Sequence, residues 1–499
     1  MAHKAVLAGL VLALCLAACQ PAPASPAVSP GAGETLAPTS LPATIQPTPE
    51  PTGGRPHYAP GELVEYVAQG GDTVAALAAR FNTTVQEVMT ANPIIPVDAT
   101  TLPPGMPMKI PIYYTALWGS AYQIVPDSLF VNGPAQLDFD VAAFVKAHPG
   151  WLKGVVEYAS GDNRSGAEIV ALVAQNFSVS PRLLLALLEY HSQALSQSIR
   201  PADSEEYPLD YADWQHKGVY LQLVWAANTL NNGYYGWRTA RLSTINLLNG
   251  RSERFDPWQN AASVAFHYFY AQYLDEPAYS QAIGPQGLAE VYRNLFGDPW
   301  VTPPHLPGSL RQPAFAMPFA PGLPWAFTGG PHTGWGQGDP LSALDFAPPA
   351  AASGCTPSRE WVTAMAAGVV ARTDTGIVVL DLDEGETPAD GDERTGWVIF
   401  HLHIGSEDRV AAGSRLNVGD PLGHPSCEGG SSTGTHVHLA RKYNGEWIPA
   451  AGTLAFNFQG WVAANGAEAY QGTLNRFGQV VTACTCSDQA SHIKADEKK

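Results

Sequence analysis

The stretch "SSTGTHVHLA", residues 431–440, sets two histidines two positions apart in a Val/Leu run behind a Ser/Thr/Gly loop. The apolar residues around them predict a β-strand, in which alternate side chains point to one face. His436 and His438 should therefore project side by side. Paired imidazoles need partners, and those must come from elsewhere in the chain.

The surrounding region, from about residue 315 to 475, reads as short strands such as "GIVVLDLD" and "GWVIFHLHI" separated by Gly, Asp and Asn turns. Six of the chain's fourteen histidines fall there: His332, His401, His403, His424, His436 and His438. A single histidine is usually a hydrogen-bonded core or surface residue, but six gathered among strands and Gly-rich loops point to a metal. A catalytic zinc site takes three His or carboxylate ligands and leaves one position open. "SALDFAPP" offers the carboxylate. Asp345 lies between Leu344 and Phe346 and so faces away from two apolar neighbours, a costly placement unless it is paired or binds metal.

The blocks "GGPHTGWGQGDPLSALDFAPP", "HLHIGSEDRVAAGSRLNVGDPLGH" and "CEGGSSTGTHVHLARKYNGEWI" resemble the three signatures of the lysostaphin/β-lytic zinc endopeptidases, the LytM-like family of bacterial cell walls. The resemblance covers about 320–460. It implies Zn2+ held by His332, Asp345 and His438, with His436 as general base for the attacking water. A further His donates to the developing oxyanion. His401 and His403 share a face by strand alternation, so spacing excludes neither; the family's aromatic-x-His-Leu pattern favours His403. One departure stands out. The commoner branch has its first His four residues before the Asp, where this chain has Leu341; the longer β-lytic loop accommodates His332 instead. His424 is expected to be structural.

Earlier in the chain, residues 57–113 predict a β-α-α-β unit. Asp72 or Thr73 starts a helix with Val74, Leu77, Ala78 and Phe81 on one face, and Thr84 with Glu87 forms a capping-box signature. "GDTVAALAARFNTTVQEVMTANP" resembles the LysM module, which implies affinity for peptidoglycan glycan. By that resemblance the sugar groove runs along Gly71, Asp72 and Thr73 and along Asn92, Pro93 and Ile94. Residues 120–311 read as a helical domain. Ser165 and Glu168 form another capping box, and "SPRLLLALLEYHS" has Ser180 as N-cap with Pro181 at the first helical position. This last helix resembles the first helix of lysozyme-like transglycosylases, in which a catalytic Glu precedes Ser. Here His191–Ser192 occupies that place and Glu189 lies two residues early, so muramidase chemistry is not expected. Most of the domain's Trp and Tyr should be core.

The N-terminus, "MAHKAVLAGLVLALCLAACQ", has a basic start and an apolar run too short to span a bilayer, as in an export signal. "LAAC" resembles the bacterial lipobox, implying lipidation of Cys19 and a membrane anchor in the cell envelope. Residues 20–56 are a Pro/Ala/Ser/Thr-rich tether. Of the six cysteines, Cys15 leaves with the signal and Cys19 is lipidated. Cys355, Cys427, Cys484 and Cys486 remain, candidates for two disulfides among three possible pairings. The net charge of −18 and the lack of a Lys/Arg tract argue against nucleic acid.

The expectation is thus a multidomain chain: signal 1–19, linker 20–56, LysM 57–113, all-α domain 120–311, β-rich peptidase domain 312–476, and a Cys-bearing tail 477–499 whose charged end is disordered. The function expected is peptidoglycan endopeptidase at the extracytoplasmic face. The alternative is an inactive scaffold that docks to the wall and activates another hydrolase. Such scaffolds lose ligands, whereas His332, Asp345, His436 and His438 all stand.

Overall fold

Capping side chains decide where the first helices begin. In the computed structural model, which describes residues 55–497 apart from 114, 117, 118, 350–353 and 487, the Thr73 hydroxyl accepts the Ala76 amide and starts α1 (Val74–Arg80). Thr84 and Glu87 cap each other's backbone at α2 (Val85–Ala91), a device worth about 1 kcal/mol. Strands β1 (Glu62–Val67) and β2 (Pro107–Ile112) pair antiparallel and complete the expected β-α-α-β unit. The export signal, Cys19 and the linker as far as residue 54 lie outside the described residues.

This small unit does not stand apart. Trp258, from the helical region, joins its core of Tyr66, Leu77, Phe81 and Val88 and donates its indole N–H to the Glu65 carbonyl. The helical region runs through α3 (Val141–Ala147), the hairpin β3 (Val156–Ala159) with β4 (Asp162–Ser165), then α4 (Gly166–Phe177) and α5 (Pro181–Ser192). It continues with α6 (Gly218–Arg238), the hairpin β5 (Thr244–Asn246) with β6 (Ser252–Arg254), α7 (Ala261–Ala271), α8 (Glu276–Ala282) and α9 (Leu288–Phe296). Both predicted caps, Ser165 and Ser180, are in place. Tyr234, Tyr235, Trp237, Phe266 and Tyr270 are buried, as expected of core aromatics.

The remaining strands are β7 (Trp325–Thr333), β8 (Leu341–Ala347), β9 (Val362–Thr363), β10 (Gly368–Asp374), β11 (Gly376–Leu382), β12 (Trp397–Ile404), β13 (Arg415–Leu416), β14 (Pro421–Gly423), β15 (Val437–Tyr443) and β16 (Glu446–Ile448). Then come β17 (Asn457–Phe458), β18 (Trp461–Asn465), β19 (Gly472–Arg476), β20 (Gln479–Thr482) and β21 (His492–Ile493). Nine of them form one antiparallel sheet in the order β13-β10-β11-β12-β15-β8-β7-β21, with β16 beside β15. Residues alternate between two cores. Ala343, Val379, Val398, Phe400 and Ala440 pack with the helices, whereas Leu344, Phe346, Val378, Ile399 and Leu439 face the second core.

Two findings differ from the sequence reading: the 120–311 region is not all-α, since it carries the β3–β4 and β5–β6 hairpins, and the C-terminal segment is folded. Residues 477–497 are not a loose tail: β20 pairs with β19, β21 pairs with β7 at the edge of the main sheet, and Asp496 bonds Arg476. The β-rich domain therefore runs well past 476. The cysteine pairing is also resolved, as Cys355–Cys427 and Cys484–Cys486.

A buried polar knot ties the regions together. Arg238 of α6 reaches Asp127 (3.1 Å) and Glu446 of β16 (3.3 Å), and it donates to the Gly70 carbonyl of the small unit. Glu446 also accepts from Tyr234 (2.8 Å) and sits 2.6 Å from His305 of the connector.

Candidate metal centre

Register brings the ligand candidates together. β15 pairs with β8 so that His438 lies directly opposite Asp345, and both point to the helix-facing side of the sheet, as their i+2 and i−2 neighbours Ala440 and Ala343 do. On the other side of β8, irregular pairing in β7 sets Gly329 opposite Asp345 and His332 opposite Ala343. Gly329 is required there: a Cβ at that position would lie 2.4 Å from Asp345 Oδ2.

The three donor atoms form a nearly equilateral triangle. His332 Nε2 is 3.0 Å from His438 Nδ1, and Asp345 Oδ1 is 3.2 Å from each nitrogen. Tetrahedral zinc with bonds of roughly 2.0–2.1 Å requires ligand–ligand edges of about 3.3 Å, which this triangle nearly meets. The remaining ring nitrogens are committed elsewhere. His332 Nδ1 is 2.8 Å from the Gly330 carbonyl and His438 Nε2 is 3.1 Å from that of Gly334, so each ring donates away from the site and turns a lone pair inward. Asp345 Oδ1 is buried and no hydrogen bond of acceptable direction reaches it, as expected of an atom aimed at a cation. Burial pushes the His332 imidazole down, but the Asp345 charge outweighs it and leaves it raised. Burial pushes Asp345 up, yet His332 holds it well below the usual carboxylate range. The donor set fits a divalent ion such as zinc.

His436 joins this group with Nε2 3.7 Å from Asp345 Oδ1, its Nδ1 being 2.7 Å from the Gly434 carbonyl. His403 lies beside it, ring centroids 4.5 Å apart, with Nδ1 held 2.8 Å from the Glu428 carbonyl. Burial, with a smaller push from His436, brings His403 down to about 4. His401 is elsewhere. It follows the alternation of β12 into the second core with Ile399, opposite Val378, and its Nδ1 is 3.1 Å from the Val378 carbonyl. The expected shared face fails because His403 has φ +64°, a left-handed residue that breaks the strand's alternation and turns its ring towards His438. His424 stacks on Trp361 and approaches the Glu360 carbonyl, away from the group.

The sequence reading did not single out Tyr470. Its ring stacks on His332 at 4.1 Å and 19°. The backbone of its loop exchanges hydrogen bonds with Gly330 and Pro331, which fixes the loop against the bend in β7. No spacing signal in the sequence links position 470 to 332.

These side chains open into a cleft of about 1290 Å³, larger than a typical small-molecule site. The β-rich domain supplies its floor and the 429–435 loop. Leu172, Phe177, Tyr220 and Val224 of the helical region form a facing wall, and Thr485 and Cys486 border the rim. Among the described lining residues there is no Lys, Arg or Glu, and Asp345 is the one carboxylate.

The expected glycan groove is only partly open. Asp72 is buried under Tyr66, Gln69 and Arg80, and a Cβ on Gly71 would lie 2.6 Å from Arg238 and 2.7 Å from Leu306. Thr73 caps α1, and the Asn92 amide is bound to the carbonyls of Val88 and Lys109. Pro93 and Ile94 face solvent. In α5, Glu189 accepts the Leu195 and Ser196 amides, and His191 lies 3.1 Å from the Tyr273 hydroxyl.

Residues 123–309 match the family model "LasA, N-terminal domain", and residues 66–111 match the LysM domain model. Protease LasA of Pseudomonas aeruginosa strain UCBPP-PA14 is 26% identical over 343 residues, spanning 65% of this chain and 75% of that protein. The beta-lytic metalloendopeptidase of Lysobacter enzymogenes is 27% identical over 173 residues, or 34% of this chain and 88% of its own. Among solved structures, the M23 metalloprotease pseudoalterin from the deep sea aligns with 22% identity and a TM-score of 0.28, covering 34% of this chain and 96% of its own.

Proposed function

We propose that this chain is a zinc endopeptidase that cuts peptide bonds of the bacterial cell wall. The observation that carries this reading is the donor triangle of His332, Asp345 and His438, with His436 and His403 beside it in one cleft. The similarity to Protease LasA and to the beta-lytic metalloendopeptidases supports the reaction class.

His332, Asp345 and His438 would hold the zinc, which when bound would supply the Lewis acidity for activating a water and polarising the scissile carbonyl. The residues do the rest. With each Nδ1–H turned to a backbone carbonyl, His436 and His403 both present Nε2 to the cleft. His436, the nearer to Asp345, would take the proton of the attacking water and return it to the amine nitrogen as the peptide bond breaks. His403 faces the same space and is the residue to stabilise the oxygen that gains negative charge. Because burial keeps it neutral, with Nδ1–H on the Glu428 carbonyl, that role requires it to take up a proton from solvent as the charge develops. The described lining residues include no Lys or Arg to hold a terminal carboxylate, which suits cleavage within a peptide rather than at its end.

Wall affinity comes from the LysM domain. With the Gly71–Thr73 turn backed by the connector, the Pro93–Ile94 side is the face left for glycan. Export and lipid attachment at Cys19, as the N-terminal sequence implies, would place the enzyme at the outer face of a membrane. No helix among the described residues is long and apolar enough to cross one.

The test combines metal content with digestion of purified peptidoglycan. His438→Ala and Asp345→Ala should lose both zinc and hydrolysis. His436→Ala should keep zinc and lose hydrolysis by about 10²–10⁴-fold, and His403→Ala should lose more activity than His401→Ala. Parent protein that binds no zinc and releases no muropeptides would sink the proposal in favour of a docking scaffold.

A further inference from the structure

The loop that joins the two first-block ligands, residues 333–340, is held by the helical region rather than by the sheet alone. Asn228 and Asn232 lie one turn apart on α6, so their side chains share a face. The Asn228 carbonyl oxygen accepts the Gln337 amide at 2.7 Å, and the Asn232 carbonyl oxygen accepts the Asp339 amide at 2.6 Å. Arg241, just beyond the helix, is paired with the Asp339 carboxylate. The loop can approach this closely because residues 336 and 338 are glycines with φ +83° and +86°. A Cβ on Gly336 would fall 2.4 Å from Asn228 Oδ1, and one on Gly338 would fall 2.2 Å from Asn232 Oδ1.

The same loop carries the Gly334 carbonyl, the acceptor for His438 Nε2. That bond leaves the Nδ1 lone pair facing His332 and Asp345. A chain of hydrogen bonds therefore runs from α6 through the loop backbone to an imidazole of the metal site. We infer that Asn228 and Asn232 are positioning residues for the metal centre, and that the helical region is part of the scaffold that sets its affinity. This inference rests on the metal-site reading above.

The experiment uses the full-length protein and zinc alone, with affinity read by competition with a chromophoric chelator and geometry by the visible spectrum of the cobalt-substituted form. Asn228→Leu keeps the volume but cannot accept the amide, whereas Asn228→Asp can. Gly338→Ala pushes the loop from the helix without altering the helix. Outer partners of a metal ligand are worth about 10–100-fold in affinity. Asn228→Leu and Gly338→Ala should therefore weaken zinc binding by about tenfold or more and shift the cobalt spectrum, and Asn228→Asp should restore both. Parent-like affinity in Asn228→Leu or in a folded Gly338→Ala overturns the inference, as does equal loss in the Leu and Asp variants. If Asn228→Leu fails to fold, Gly338→Ala alone decides. His438→Ala, measured in parallel, separates the two ideas: zinc retained there refutes the metal site itself, whereas zinc lost there but unchanged in the Asn228 and Gly338 variants refutes only the positioning role.

Discussion

Replacing Gly329 by alanine perturbs the proposed metal centre by a single methyl group. Its backbone is outside the left-handed region, so alanine adds no conformational strain of its own. The new Cβ would stand 2.4 Å from Asp345 Oδ2, 2.9 Å from Cγ and 3.0 Å from Cβ, and real contacts of this kind are essentially never under 3.0 Å. The carboxylate must then retreat by roughly 0.6–1 Å. A site tuned to about 0.5 Å does not absorb that, and misplacement by about 1 Å commonly costs on the order of 10²-fold, or about 2.7 kcal/mol. Zinc affinity and peptidoglycan hydrolysis should both fall by about two orders of magnitude, while the denaturant midpoint of the metal-free protein changes little. Isothermal titration with zinc, paired with muropeptide release, reads both quantities. An alanine variant with parent-like affinity and turnover would refute the assignment of Asp345 as a ligand packed against Gly329.

Two further outcomes follow from burial and cross-linking. Burial holds His401 down to about 4 from 6.5, so the unfolded chain takes up its proton first. Its contribution is intact above pH 6.5 and is lost as pH falls towards 4, by about 3 kcal/mol. Urea unfolding between pH 7 and 4 should show this slope, and His401→Leu should flatten it; an unchanged slope would count against the buried neutral imidazole. The Cys355–Cys427 bridge closes a 72-residue separation and sits beside the Thr435 amide and hydroxyl, which bind the Gly354 and Thr356 carbonyls at 3.1 and 2.6 Å. The double Cys→Ser variant should lose about 2–4 kcal/mol in the same assay and raise KM by loosening the cleft wall.

Patterns local to the chain were the legible ones. Thr84, Ser165 and Ser180 declared their helix starts because a cap acts within three or four residues. His436 and His438 declared a shared face because a regular strand has period two. The proposed metal ligands came from the family resemblance, and of the three only Asp345 was also marked by its own apolar neighbours, Leu344 and Phe346. What escaped was whatever depended on a single irregular torsion or on distant packing. The left-handed His403 reversed the expected orientation of one imidazole relative to His401. The contact of Tyr470 with His332 spans a loop that carries no periodic signal. The segment after 476 reads as a Cys-bearing tail with a disordered charged end, yet backbone pairing at a sheet edge makes little demand on side-chain hydropathy. The LysM resemblance put the Gly71–Thr73 turn in the glycan groove, and nothing in its own residues announces that Arg238 and Leu306 lie against it.

The knot around Arg238 bears on how this molecule can be dissected. Its guanidinium, Asp127 and His305 lie in the 120–311 region, whereas Glu446 belongs to the β-rich region and the Gly70 carbonyl to the small unit. Excising either end strands an ionised group in a dry interior, a defect of about 3–5 kcal/mol. Fragments cut at the apparent seams should therefore behave worse than their cores predict. Shuffling the β-rich unit onto another partner would call for new chemistry at position 446, not just a new linker.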